Sequence, residues 1–193
     1  MPGGTRSYEM ARRLVAMGHE VNMVTSWREE KAQWSPLLPK NKSGWFVTDE
    51  AGIKVHWLPV PYSNRMGFGE RIRAFFLFAL RSAQRAAALD ADIVFATSSP
   101  LTIALPAVYA ARRRKVPMVF EVRDLWPEMP IAMAALQSPL QIRAARALES
   151  WAYRNAAAVV ALSLGMKQGV VDTGYPARQV AVIPSSSDNQ GFG

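Results

Sequence analysis

"DIVFATSSPLTIALPAVYAARRRKVPMVFEV", residues 92–122, decides how this chain folds. Its two ends, "DIVFAT" (92–97) and "MVFEV" (118–122), are short runs of β-branched and apolar residues, the composition of strands. The stretch between them opens at "SSP", where Ser98 or Ser99 can cap a helix and Pro100 can take its first position. It closes at "ARRRK" (111–115), where cations complement the negative end of a helix dipole. Strand, helix and strand in that order form a parallel crossover unit. Strands that read as near-continuous apolar runs are covered on both faces.

The same alternation extends in both directions. Further strands are expected at "EVNMVT" (20–25), "IKVHWL" (53–58), "AAVVAL" (157–162) and "VAVI" (180–183). Helices are expected over about residues 5–17, ending at Gly18, over 69–89, over 139–154, and over a shorter stretch after Ser163. The fold class is therefore α/β, a doubly wound, Rossmann-like parallel sheet. In such sheets ligands bind outside the carboxyl ends of the strands, which here release "SWREE", "TSSP", "RDLWPEMP", "LSLGMK" and "PSSSDN". "MGHEV" and "RKVPM" fall at the opposite edge, as structural turns. The chain opens on "PGGTR", a turn of the kind that leaves a central strand, with only Met1 before it. The expectation is a sheet lacking its first, central strand in this chain; the alternative is that "VNMVT" and its neighbours close ranks without it.

Composition narrows the partners. The 193 residues carry 23 Lys and Arg against 15 Asp and Glu, a net charge of +8, which favours anionic partners. No unbroken basic stripe is present and "ARRRK" reads as a helix end, so nucleic acid is not expected as a partner. Cysteine is absent, which removes disulfides, thiolate metal sites and a cysteine nucleophile and fits a reducing compartment, hence the cytoplasm. No apolar run approaches the roughly 20 residues that span a bilayer. No histidine or carboxylate spacing resembles a metal site, so none is expected. His19 sits in a turn and His56 within a strand, both structural positions.

Candidate chemistry gathers at the ligand edge. Glu121 lies inside a strand, where a carboxylate needs a partner, and Arg123 is the obvious one. Asp124, Trp126 and Glu128 follow in the loop; Asp124 is either a functional carboxylate or a cap for backbone amides. Gly3 and Gly4 let backbone amides approach an anion at a helix start, and Arg6 adds a cation. The segment 65–85 carries a core stripe of Ile72, Phe75, Phe76, Ala79, Leu80 and Ala83. Phe68, Leu77 and Phe78 fall away from that stripe, among Arg71, Arg81 and other arginines. The helix either lies at an anionic lipid interface or is buried on two sides.

Taken in order, "PGGTRSYEMARRLVAMGHEV", "SSP", "RDLWPE", "ALESWAYRNA", "LSLGMK", "GYP" and "VIP" followed by "SDN" resemble the N-terminal half of GT-B glycosyltransferases of family 4. The likeness is nearest to the bacterial subgroup that builds O-antigen and capsular polysaccharide and includes fucosaminyltransferases. It covers essentially the whole chain. The resemblance implies a retaining transferase that moves a sugar from a nucleotide diphosphate donor to a lipid-linked saccharide at the cytoplasmic membrane face, with no cofactor beyond that donor. It also implies an acceptor-side domain over residues 1–184 and the start of an interdomain linker over 185–193. Gly3 and Gly4 match the family's diphosphate loop, and Arg123 with Asp124 falls where many members have a His-Asp pair. Asp124 and Glu128 are the expected catalytic carboxylates; Arg6, Ser98, Ser99, Arg123 and Ser163 join the glycines as substrate-binding candidates. The donor domain is missing after Gly193, so the chain alone is expected to be inactive. The competing reading is a non-catalytic Rossmann-like module that docks an acceptor or a membrane; a dehydrogenase would need the dinucleotide fingerprint that is missing here.

Overall fold

The computed structural model describes residues 6–27, 44–60, 67–98, 100–125 and 138–185. The chain forms two compact units, residues 1–89 and 90–193, each with its own sheet.

In the first unit, helix α1 (Arg6–Ala16) leads into β1 (Val21–Trp27), then β2 (Phe46–Glu50), β3 (Ile53–Pro59) and helix α2 (Phe68–Ala88). The sheet order is β1-β3-β2, with β1 parallel and β2 antiparallel to β3. β2 was not foreseen. It pairs through a two-residue hairpin in which Ala51 (φ 55°) and Gly52 (φ 81°) are both left-handed, the turn whose twist suits adjacent strands. Gly52 is also required sterically, because a Cβ there would lie 2.9 Å from Val15.

Alternation along β3 divides the packing. Ile53, Val55 and Trp57 cluster with Phe46 and with Tyr8, Ala11 and Val15 of α1. On the other face Leu58 and the following Val60 pack with Ala74 and Phe78 of α2 and with Trp45. A parallel strand pair covered by helices on both faces is what the continuous apolar run of β3 implied.

The second unit holds β4 (Val94–Thr97), a 3-10 turn (Leu101–Ile103), α3 (Ala104–Arg114), β5 (Met118–Val122), α4 (Pro139–Arg154), β6 (Ala158–Ala161), α5 (Leu164–Asp172) and β7 (Val180–Val182). Its four strands are all parallel in the order β4-β5-β6-β7, the Rossmann-like arrangement expected. The core is centred on Phe120, Met118, Val122, Val159 and Tyr153, with Tyr153 edge-on to Phe120 at 6.1 Å. Its polar atoms are satisfied in place. Tyr153 donates its hydroxyl proton to buried Glu149 at 2.9 Å, and Tyr175 donates to the Ala156 carbonyl at 3.0 Å. Burial also pushes the Tyr175 phenol pKa up, which keeps it a donor. Pro139 opens α4 as the sequence indicated.

The basic run 111–115 serves the fold. Lys115 takes the left-handed conformation that ends α3, Arg112 donates to Asn155 at 2.6 Å, and Arg114 pairs with Asp90.

Helix α2 corrects the expected faces. Its buried side is made of small residues, Ala74, Ala79 and Ser82, with Phe75, Phe78 and Arg85 half-buried. Phe76 and Leu80, expected in the core, are 57% and 61% exposed, whereas Phe78, expected outside, packs on Leu58 and Val60. Leu77 and Arg81 do face outward; the side chains of Phe68 and Arg71 lie outside the described residues.

Candidate functional site

Because β4 to β7 run parallel, their carboxyl ends open on one edge of one sheet. That edge brings together Ser98 after β4, Arg123 and Asp124 after β5, and Ser163 after β6.

Ser98 is buried and is a clamp, not a helix cap. Its backbone N–H donates to the Glu121 carbonyl at 2.8 Å, extending the β4-β5 ladder one residue beyond β4. Its Oγ accepts from the Arg123 backbone N–H at 2.9 Å, which fixes where β5 turns into the loop. Pro100 accordingly precedes the 3-10 turn and does not open α3 itself.

Glu121 is fully buried, and its carboxylate accepts from the Thr97 hydroxyl at 2.9 Å while Arg123 points to solvent. The expected Glu121–Arg123 pair is thus replaced by a cross-strand one, since side chains at registered positions of neighbouring strands lie closer than those two apart on one strand. Thr97 and Glu121 are the edge residues that sequence reasoning missed as a pair. Their signal was a carboxylate and a hydroxyl at the ends of two adjacent strands.

Beyond Glu121, the exposed Arg123 and half-buried Asp124 stand side by side at the strand end. The loop behind them is held by Leu125, which seats against Gly169 of α5; a Cβ on Gly169 would meet the Leu125 methyl carbons at 3.0 Å. Ser163 caps α5, its Oγ accepting from the Met166 N–H at 3.2 Å, so its position is explained by the helix it starts. Arg6 begins α1 in the first unit. Gly3, Gly4, Ser99 and Glu128 lie outside the described residues.

The edge therefore offers a guanidinium with the fork geometry that suits phosphate and an adjacent carboxylate able to take a hydroxyl proton. The cavity of about 330 Å³ lined by Arg112, Lys115, Met118 and Asn155 lies at the opposite, amino edge of the same sheet. Among the described residues no cluster of His, Asp or Glu could hold a metal ion, and no helix is long and apolar enough to cross a membrane.

Residues 3–185 match the model of the glycosyl transferase 4-like domain, and the chain belongs to that family. The match runs across both compact units. It makes this a glycosyltransferase-type domain, the class that moves a sugar from a donor to an acceptor. No curated protein matches the chain in sequence.

Proposed function

We propose that this domain is the acceptor-side part of a retaining transferase that moves a sugar from a nucleotide diphosphate to a lipid-linked saccharide in surface polysaccharide synthesis. The observation that supports it best is the place of the consecutive residues Arg123 and Asp124 at the carboxyl edge of the parallel sheet, within a chain that matches the family over 183 of its residues (3 to 185). In this reading Asp124 faces the acceptor hydroxyl, Arg123 meets donor or acceptor phosphate, and Ser98 holds both by fixing the exit of β5. Glu128, Gly3 and Gly4 complete the site as the resemblance assigns them. The outward face of α2, with Phe76, Leu77, Leu80, Arg73 and Arg81, rests on the anionic inner surface of the cell membrane where such acceptors are held. Each methylene buried there contributes about 0.8 kcal/mol and each arginine about 1 kcal/mol.

Titration of the labelled protein with a panel of short prenyl-linked saccharides and nucleotide diphosphate sugars, followed by amide chemical shifts, tests the assignment. Saccharide acceptors should shift residues 97–98, 123–125 and 163–166, with weaker binding in Asp124→Asn. Shifts confined to the amino edge around Lys115 and Asn155, or none at all across the panel, would contradict it.

A further inference from the structure

One buried network of the first unit has no part in the sugar chemistry. His56 on β3 is 5% exposed, and both its ring nitrogens are engaged. Nδ1 lies 3.0 Å from Arg85 Nε of α2, and Nε2 lies 3.1 Å from Asn22 Oδ1 of β1. An arginine Nε–H can only donate, so Nδ1 must be the unprotonated acceptor, and Nε2 carries the proton that is given to Asn22. Three elements are thereby joined through one neutral imidazole. The Arg85 guanidinium is set further by the Trp45 ring, 5.8 Å away.

We propose that Asn22, His56 and Arg85 form an acid-released latch that holds the C-terminal half of α2 on the β1-β3 sheet. Adding a proton at Nδ1 removes the acceptor that Arg85 Nε uses, turns the contact into donor against donor, and places two cations side by side. Among the described residues, no group packed against the imidazole restores the balance. From β3, Lys54 adds another positive charge, itself met at 2.7 Å by Glu20. From β1 the neighbours are Asn22 and Val24, and from β2 the registered residue is Val47, none of them acidic. On α2, Arg81 lies one turn before Arg85 and is exposed. Consistently, burial first, then Arg85 and Lys54, hold the imidazole below the ordinary histidine pKa.

The sign follows from that direction. A group favoured neutral in the folded state contributes stability that is present above its unfolded value, about 6.5, and lost as pH falls through the lower folded value. The released helix is the one whose outward face carries Phe76, Leu77 and Leu80. The latch is independent of the proposed transfer, because it is read on the protein without any sugar.

Two readouts on the whole chain test it together: the midpoint of the His56 imidazole by NMR, and hydrogen-exchange protection of amides 78–88 corrected for intrinsic pH dependence. The expected result is a His56 midpoint below that of ordinary histidine and a fall of at least about tenfold in α2 protection at the same midpoint, with α3 amides unchanged. His56→Gln should remove this pH dependence. Arg85→Gln, which keeps a donor but deletes the cation, should raise the His56 midpoint whether or not the first variant folds. Flat protection through the imidazole titration, persistence of the pH response in His56→Gln, or an unmoved midpoint in Arg85→Gln would overturn the latch.

Discussion

Ser98 shows how one side chain differs from its sequence-level reading. "SSP" before a helix signals a cap, yet Ser98 turns inward and receives the Arg123 N–H while Leu101–Ile103 begins the helical path. A cap and a cross-strand clamp use the same hydroxyl, and only the neighbouring strand decides between them. Glu121 carries the same lesson. Its need for a partner was legible from its place in an apolar run, but Thr97, which donates to it, lies 24 residues away in sequence. Ser163 is legible as the start of α5 because its cap bond is local. The Ser98 clamp has a measurable cost: Ser98→Ala leaves the Arg123 N–H without its acceptor and should lower stability by about 1–3 kcal/mol. Denaturant unfolding should show the loss, and amide shifts should be concentrated at residues 123–125. An unchanged midpoint with unmoved shifts would mean that Ser98 does not set the loop.

Whole elements were far more legible than their faces. α1, α2, α4 and all six expected strands fall within a residue or two of the ranges read from periodicity, because caps, prolines and terminal glycines punctuate them. β2 was not legible: five residues containing Asp49 and Glu50 carry a weak strand signal and acquire one only by pairing with β3. The buried stripe of α2 was misread for a different reason. The helix is apolar on most of its circumference, so periodicity offers several stripes, and the sheet accepts the side with Ala74, Ala79 and Ser82 because small residues allow close approach. A test of the lipid-facing reading therefore falls on Phe76 and Leu80, which are exposed, and not on Phe78, which packs on Leu58 and Val60. Phe76→Ser and Leu80→Ser should leave the fold intact and reduce co-sedimentation with anionic vesicles several-fold, and binding should weaken with added salt. Phe78→Ser should instead destabilise the unit by about 3–5 kcal/mol at most, scaled down by its partial exposure. Wild-type protein that remains in the supernatant at low salt would remove the membrane reading.

At the scale of the whole chain, a parallel four-stranded sheet, a smaller mixed sheet and a family match over residues 3–185 describe a glycosyl transferase 4-like domain built from standard α/β logic. The fold class was legible because strand and helix alternate with distinct periods, and the carboxyl edge follows from parallel topology alone. The details of that edge were legible only in part, since they depend on which strands become neighbours. The net charge of +8 suits phosphate-bearing substrates and an anionic surface alike. The central claim is that Asp124, beside Arg123, faces the reacting groups. The most direct measurement is transfer of labelled sugar from nucleotide diphosphate donors into the lipid fraction, by membranes from cells expressing this domain joined to a donor-binding domain, wild type against Asp124→Asn. The account predicts a loss on the order of 10²-fold or more in the variant at equal protein level and unchanged fold. Equal incorporation by the two proteins would contradict it.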